Sequence, residues 1–182
     1  DGPALAAQFN EPKSLVVDDA GDVYVADYEN HCIRMISNGW VSTLAGTGIA
    51  GDGIGAASTA QLFRPRDLCL DSSGALYFVD LGNHKVKYLT PSDSVFLLAG
   101  SGIPGAIDGQ GPTAAFSTPV AIDWVAPDRM LVLDAVNPRF RLVDLSGHVV
   151  TVAGSGNVGY VDGPSAVSAF DLPQDICVDG SG

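Results

Sequence analysis

The chain has 182 residues, 9 Lys and Arg against 21 Asp and Glu, and a formal net charge of −12 at pH 7, a length that suits one domain with a real core. Apolar residues make up 46%, which excludes disorder, and no apolar run approaches the ~20 residues of a membrane-spanning helix. The nine basic residues are scattered from Lys13 to Arg141 and never form a run, so the basic stripe of a nucleic-acid binder is absent and anionic membrane surfaces are disfavoured.

The opening Asp1-Gly2-Pro3 has no Met, no basic segment and no apolar signal core, so the chain reads as a mature or excised piece. The 22 Gly and 11 Pro point to strands and turns. A repeat then organises everything that follows. Phe9, Phe63, Phe116 and Phe170 are spaced by 54, 53 and 54 residues, and each precedes a proline closely, at Pro12, Pro65, Pro119 and Pro173. The same step relates Asp27, Asp80 and Asp134; Asn30, Asn83 and Asn137; and Gly46, Gly100 and Gly154. The repeats run over about 9–62, 63–115 and 116–169, and a fourth opens over 170–182.

Within a repeat the first strand follows the proline, as in Leu15-Val16-Val17, Leu68-Cys69-Leu70, Ile122-Asp123-Trp124 and Ile176-Cys177-Val178. An Asp-x-x-Gly turn follows at Asp18–Gly21 and Asp71–Gly74. The second strand is Val23–Asp27, Leu76–Asp80 or Met130–Asp134; the third is Ile33–Ile36, Val86–Leu89 or Phe140–Val143; the fourth ends at Gly46, Gly100 or Gly154. Four short antiparallel strands per repeat describe a β-propeller blade. The expected blades cover 13–46, 66–100 and 120–154, and residues 174–182 are expected to form the inner strand of a fourth. Three blades do not close a ring, so the remainder is expected from a longer chain or from another chain. A long linker with Asp-Gly (Asp52-Gly53, Asp108-Gly109, Asp162-Gly163) leads to each next blade; its Asp is read as a turn former.

The string Phe-x-x-Pro, Asp-x-x-Gly, Tyr-x-Val-Ala-Asp, Asn-His-x-Ile-Arg and Leu-Ala-Gly-Thr-Gly in residues 9–48 resembles the NHL-repeat family of β-propellers. The second repeat is similar. The third departs, with Val125-Ala126-Pro127-Asp128 in place of Asp-x-x-Gly and Asn137-Pro138 in place of Asn-His. The resemblance implies the all-β fold and leaves function open, because propellers host binding modules, enzymes and nucleic-acid binders.

The most regular polar feature is an acid and a base seven residues apart: Asp27 with Arg34, Asp80 with Lys87, Asp134 with Arg141. A hairpin centred between Asn30 and His31 would set each pair directly across two strands, a sheet-stabilising arrangement. Repetition in every blade argues for structure over a site. His31, His84 and His148 do not form a set that converges on a metal, and Cys32, Cys69 and Cys177 match neither a disulfide framework nor a zinc pattern. The glycine strings lack the βαβ context of a nucleotide loop. Asp123 interrupts an apolar inner strand and is the one channel candidate. The expected function is therefore a non-catalytic binding or scaffolding module for a protein or glycan partner, or for further blades, with no metal or cofactor held by these residues. The alternative is part of a metal-dependent propeller hydrolase or lyase with ligands outside this piece. The resemblance implies an extracellular or lumenal location.

Overall fold

The computed structural model describes residues 1–125 and 127–179. Among them the chain is nearly all β, and its only helices are three-residue 3₁₀ turns. The fold is a β-propeller of NHL-type blades, present as three antiparallel sheets of five strands each. The first sheet contains β1 (Gly2–Pro3), β2 (Pro12–Val17), β3 (Val23–Asp27), β4 (Cys32–Ser37) and β5 (Trp40–Ala45). The second contains β6 (Gly55–Ala56), β7 (Pro65–Leu70), β8 (Leu76–Asp80), β9 (Lys85–Thr90) and β10 (Ser94–Ala99). The third contains β11 (Gly109–Gln110), β12 (Pro119–Val125), β13 (Arg129–Asp134), β14 (Arg139–Asp144) and β15 (His148–Ala153). In each sheet the four long strands lie in chain order, and the short one closes the outer edge beside the fourth.

That fifth strand corrects the four-stranded expectation. The linker does not merely cross: two of its residues pair with the outer strand, Gly2 with Val41, Gly55 with Val95 and Gly109 with Val149. At these sites the glycines have φ of +138°, +113° and +151°, which other residues rarely adopt. The equivalence also shows that in the linker from the first repeat to the second Gly55, not Gly53, occupies the strand position.

Three further expectations are corrected. The turn between the second and third long strands is a 3₁₀ turn, Tyr28–Asn30, with His31 left-handed at φ 53°. It sets Asp27 opposite Cys32 and Arg34 opposite Val25. Arg34 is therefore diagonal to Asp27, not directly opposite; Asp134 and Arg141 are related in the same way. The repeated aromatic position is Phe9, Leu62 and Phe116. Phe63 lies one residue nearer its proline, so its N–H takes the role of the Asn10 and Ser117 N–H groups. Finally, residues 174–179 form no strand; among the described residues no neighbouring strand offers them a ladder, and Gly180–Gly182 lie outside the described residues.

The contacts divide the chain into two compact units, one of Asp1–Asn83 with Lys87–Phe96, the other of His84–Val86 with the chain from Leu97 on. In the first unit, Ala26, Ile33 and Ala45 pack on Leu68, Leu76, Phe78, Leu89 and Val95, with Ala57, Ala60 and Leu62 of the linker completing the core. Each Leu or Phe so buried contributes roughly 1.5–3 kcal/mol. In the second unit Phe116, Met130, Val132, Leu133, Val143 and Val149 are fully buried. The glycine after each fourth strand is obligatory on two counts. Gly46 has φ +101°, and a Cβ there would lie 2.6 Å from the His31 carbonyl oxygen; Gly100 has φ +110° and the same 2.6 Å approach to His84.

Candidate functional site

Each sheet buries a cation between two carboxylates. Arg34 donates to Asp27 at 2.8 Å and to Asp1 at 2.9 Å. Lys87 lies 2.7 Å from Asp80 and 2.9 Å from Asp52. Arg141 lies 2.8 Å from Asp108 and 3.7 Å from Asp134. The inner acids and the Lys87 and Arg141 side chains are fully buried, and Arg34 is 5% exposed, whereas Asp1, Asp52 and Asp108 are about half exposed. The burial exceeds what surface cross-strand pairs would show. A lone buried charge is costly, and two carboxylates with backbone partners compensate it.

The surrounding groups complete each set. Asp27 accepts from Asn10 N at 2.8 Å and Asn30 Nδ2 at 2.9 Å. Asp80 accepts from Phe63 N at 2.7 Å and Asn83 Nδ2 at 2.8 Å. Arg34 and Arg141 stand 5.1 and 5.2 Å over the Phe9 and Phe116 rings. Asp52 and Asp108 are thus partners of a buried cation, where their Asp-Gly sequence suggested turn formers. Asp52 and Asp108 reach across to the buried cation, and Asp108 also accepts from the Thr151 N–H and hydroxyl at 3.0 and 2.9 Å. Partial burial raises the Asp108 carboxyl, but the Thr151 and Arg141 interactions outweigh it and hold it below the usual carboxylate range. Burial pushes Asp134 up to about 7, against the pull of Ser117 N and Arg141. Asp80 is also raised by burial, against Lys87, Asn83 and Phe63 N.

The histidines are used as acceptors. His31 Nδ1 takes the Arg64 N–H at 3.3 Å, and His84 Nδ1 takes the Thr118 N–H at 3.1 Å. Arg64 and Thr118 stand just before a proline with φ of 57° and 70°. Pro138 fills the corresponding position in the third repeat and has no such nitrogen. His148 starts β15, in a different phase of the repeat. Among the described residues no three His, Cys, Asp or Glu side chains group as metal ligands. The Cys32 thiol is pushed up to about 11, chiefly by burial and then by Asp27. Asp123, the channel candidate, is half-buried on β12; its Oδ1 accepts from Trp124 N at 2.8 Å and its Oδ2 from Val178 N at 2.6 Å. It tethers the opening of the fourth repeat.

Two features escaped the sequence. An open cleft of about 780 Å³ beside the first sheet is lined by Asp1, Gln8, Asn30, Arg34, Thr43 and Thr47, among others. Each linker, moreover, presents two aliphatic side chains: Ile49 and Ile54, Ile103 and Ile107, Val158 and Val161, all more than half exposed. The signal was in the text as Gly-Ile after Thr47 and Ser101, hidden because a pattern of apolar residues in a glycine-rich loop does not reveal exposure.

The NHL repeat pattern matches residues 9–35. NHL repeat-containing protein 2 of Gallus gallus is 35% identical over 94 residues, 49% of this chain and 13% of that protein. The chain belongs to the NHL-repeat family. The NHL-type chain is also 32% identical over 150 residues to the chloroplastic protein SUPPRESSOR OF QUENCHING 1 of Arabidopsis thaliana, covering 76% of this chain and 14% of that protein. It therefore spans about one-seventh of the curated relatives it matches. Among solved structures, an auxiliary nutrient binding protein from Bacteroides ovatus superposes with a TM-score of 0.75 at 20% identity, over 96% of this chain and 44% of that one. Virginiamycin B lyase from Staphylococcus aureus does so with a TM-score of 0.60 at 14% identity, over 88% and 46%. Such distant likeness shows the fold alone.

Proposed function

We propose that this NHL propeller segment is a non-catalytic binding or scaffolding module that engages a protein partner through its linker loops. The observation that carries the reading is the disposal of the reactive groups. The recurrent acids and bases are engaged with one another inside each sheet, and His31 and His84 accept backbone N–H groups. An active site concentrates such groups in one pocket; repetition distributes them as structure. What varies and faces solvent is the linker, on which a rigid scaffold can present contacts.

The chemistry of the linkers favours one kind of partner. Residues 46–62, 100–116 and 154–170 contain no Lys or Arg, and they carry Asp52, Asp108 and Asp162 beside the exposed aliphatics. An acidic, aliphatic loop attracts a basic or neutral surface with apolar side chains and repels polyanions. A photo-reactive residue placed at Ile49, Ile103 or Val158 of the full-length protein tests this. Adducts with the same partner at these sites, lost when the other two are changed to Ser, support the reading. No adduct, or one metal ion per chain that survives chelator dialysis, overturns it.

A further inference from the structure

We propose that the side chain immediately ahead of each inner-strand proline reads a partner, and that Arg64, at this position of the second repeat, receives an acidic side chain of a protein partner. The position is Glu11, Arg64, Thr118 and Leu172, whose φ values are 51°, 57°, 70° and 46°. The left-handed region is costly for any side chain, and most of all for a β-branched one such as Thr118. Glycine adopts it freely, and the chain uses glycine so at Gly46, Gly100 and Gly154. The backbone does not need the side chain either. The Arg64 and Thr118 N–H groups that bond to His31 and His84 would be kept by glycine. A backbone held alike in each copy, bearing in turn an acid, a base, a hydroxyl and an aliphatic, is a fixed mount for varied contacts. Glu11 and Leu172 are more than half exposed on it.

Arg64 shows what such a mount presents. Its guanidinium lies 5.4 Å over the Tyr28 ring and 5.7 Å over the Phe63 ring, and Nη2 stands 2.9 Å from Glu29 Oε1. Two rings and a carboxylate fix the plane of the fork, while 42% of the side chain stays exposed. A guanidinium so oriented offers paired N–H donors to a further carboxylate, a geometry that lysine lacks. The Glu29 pair is partly exposed and screened by water, so an incoming acid can share the five donors. Lys13 Nζ, 5.1 Å from the same Tyr28 ring, adds a second positive charge beside it. Charge placement within the first unit selects the same partner. Its cations outside the buried sets are Lys13, Arg64 and Arg66, all at the end where β2 and β7 begin, and there Glu11, Glu29 and Asp67 balance them. The opposite end of the unit carries Asp18, Asp19, Asp22, Asp71 and Asp93 and no Lys or Arg. In a chain of net charge −12, a single carboxylate is therefore steered to the Arg64 end. This surface lies outside linker residues 46–62, 100–116 and 154–170 and does not depend on the linker-loop reading.

The test pans a random peptide library displayed on phage against the full-length protein and against its Arg64→Glu and Arg64→Gly forms. On the unaltered protein, Asp or Glu is expected at one peptide position at least about tenfold above Asn or Gln. On Arg64→Glu, Lys or Arg should take that position, and on Arg64→Gly no charge preference should remain. The same sequences on all three forms, or no acid in the peptides that the unaltered protein selects, overturn the proposal. Thermal unfolding separates reading from folding. Arg64→Gly and Glu11→Gly relieve the left-handed backbone and remove partly exposed contacts, so Tm should hold or rise, by up to about 2–4 °C. A fall in Tm in both variants would make this side chain a structural part and would also overturn the proposal.

Discussion

In the first and second sheets the inner carboxylate grips its cation at 2.8 and 2.7 Å, whereas in the third Arg141 stands 3.7 Å from Asp134 and turns to Asp108 and the Ile107 and Ala115 carbonyls. The difference follows from two sequence changes. In the tight sets, Asn30 and Asn83 donate to the inner acid; the Asn137-Pro138 turn brings no such bond, and Asp134 Oδ1 has no hydrogen-bond partner. With Pro138 the histidine acceptor is lost as well. The same charge set therefore tolerates different partner geometries, as a structural brace does and a ligand site, which needs fixed geometry, does not.

The sharpest way to break the comparison is to remove an inner acid. Asp80→Ala leaves Lys87 fully buried with the half-exposed Asp52 as its one carboxylate and a long 3.5 Å bond to the Gln61 carbonyl, and should cost about 3–5 kcal/mol in denaturant unfolding. Asp134→Ala should cost less, because Arg141 is already held mainly by Asp108. Equal losses at the two sites would end the distinction. Next in size is a pH effect peculiar to the third sheet. Asp134 is pushed up to about 7 in the fold, above its unfolded value of 3.8. Its contribution is therefore fully present below about pH 4 and is lost as pH rises through 7, by about 1–3 kcal/mol. Asp134→Asn should flatten the stability–pH curve between about pH 4 and 7, and thermal unfolding at several pH values reads this directly. An unchanged slope would assign the dependence to another group.

The smallest expected effect sharpens the comparison from the other side. Pro138→His restores the Asn-His turn of the first two repeats, where His Nδ1 accepts the N–H of the residue before the next proline. Leu172, at φ 46°, stands in the place of Arg64 and Thr118. A gain of about 0.5–1.5 kcal/mol is expected above pH 7, where the imidazole is neutral. A loss would show that the proline contributes more by fixing the turn.

The repeat made the fold legible, because a period of about 54 residues carrying Asp, Asn and Gly at fixed offsets fits one architecture. The acid–base pairs were legible as partners, but their geometry was not. A turn centred between Asn30 and His31 was the simplest assumption, and the 3₁₀ turn at Tyr28–Asn30 moved Arg34 to a diagonal position. Phe63 misled because a one-residue slip before Pro65 preserves the look of the motif while Leu62 fills the ring's place. The linker acids were hidden for a different reason: Asp1, Asp52 and Asp108 lie 33 to 35 residues from their cations, and no local pattern announces so long a reach. Asp123 looked anomalous on an inner strand and is explained by Val178 N, a partner from the next repeat.

In the proposed division of roles, the buried charges brace the sheets while the linkers make the contacts. This division is tested most directly by installing the Ile103 photo-crosslinker in the full-length protein and adding the double change Asp80→Leu, Lys87→Met. The account predicts altered unfolding free energy with crosslinking yield unchanged at temperatures where the protein is folded. Loss of the crosslink at unchanged stability would contradict it.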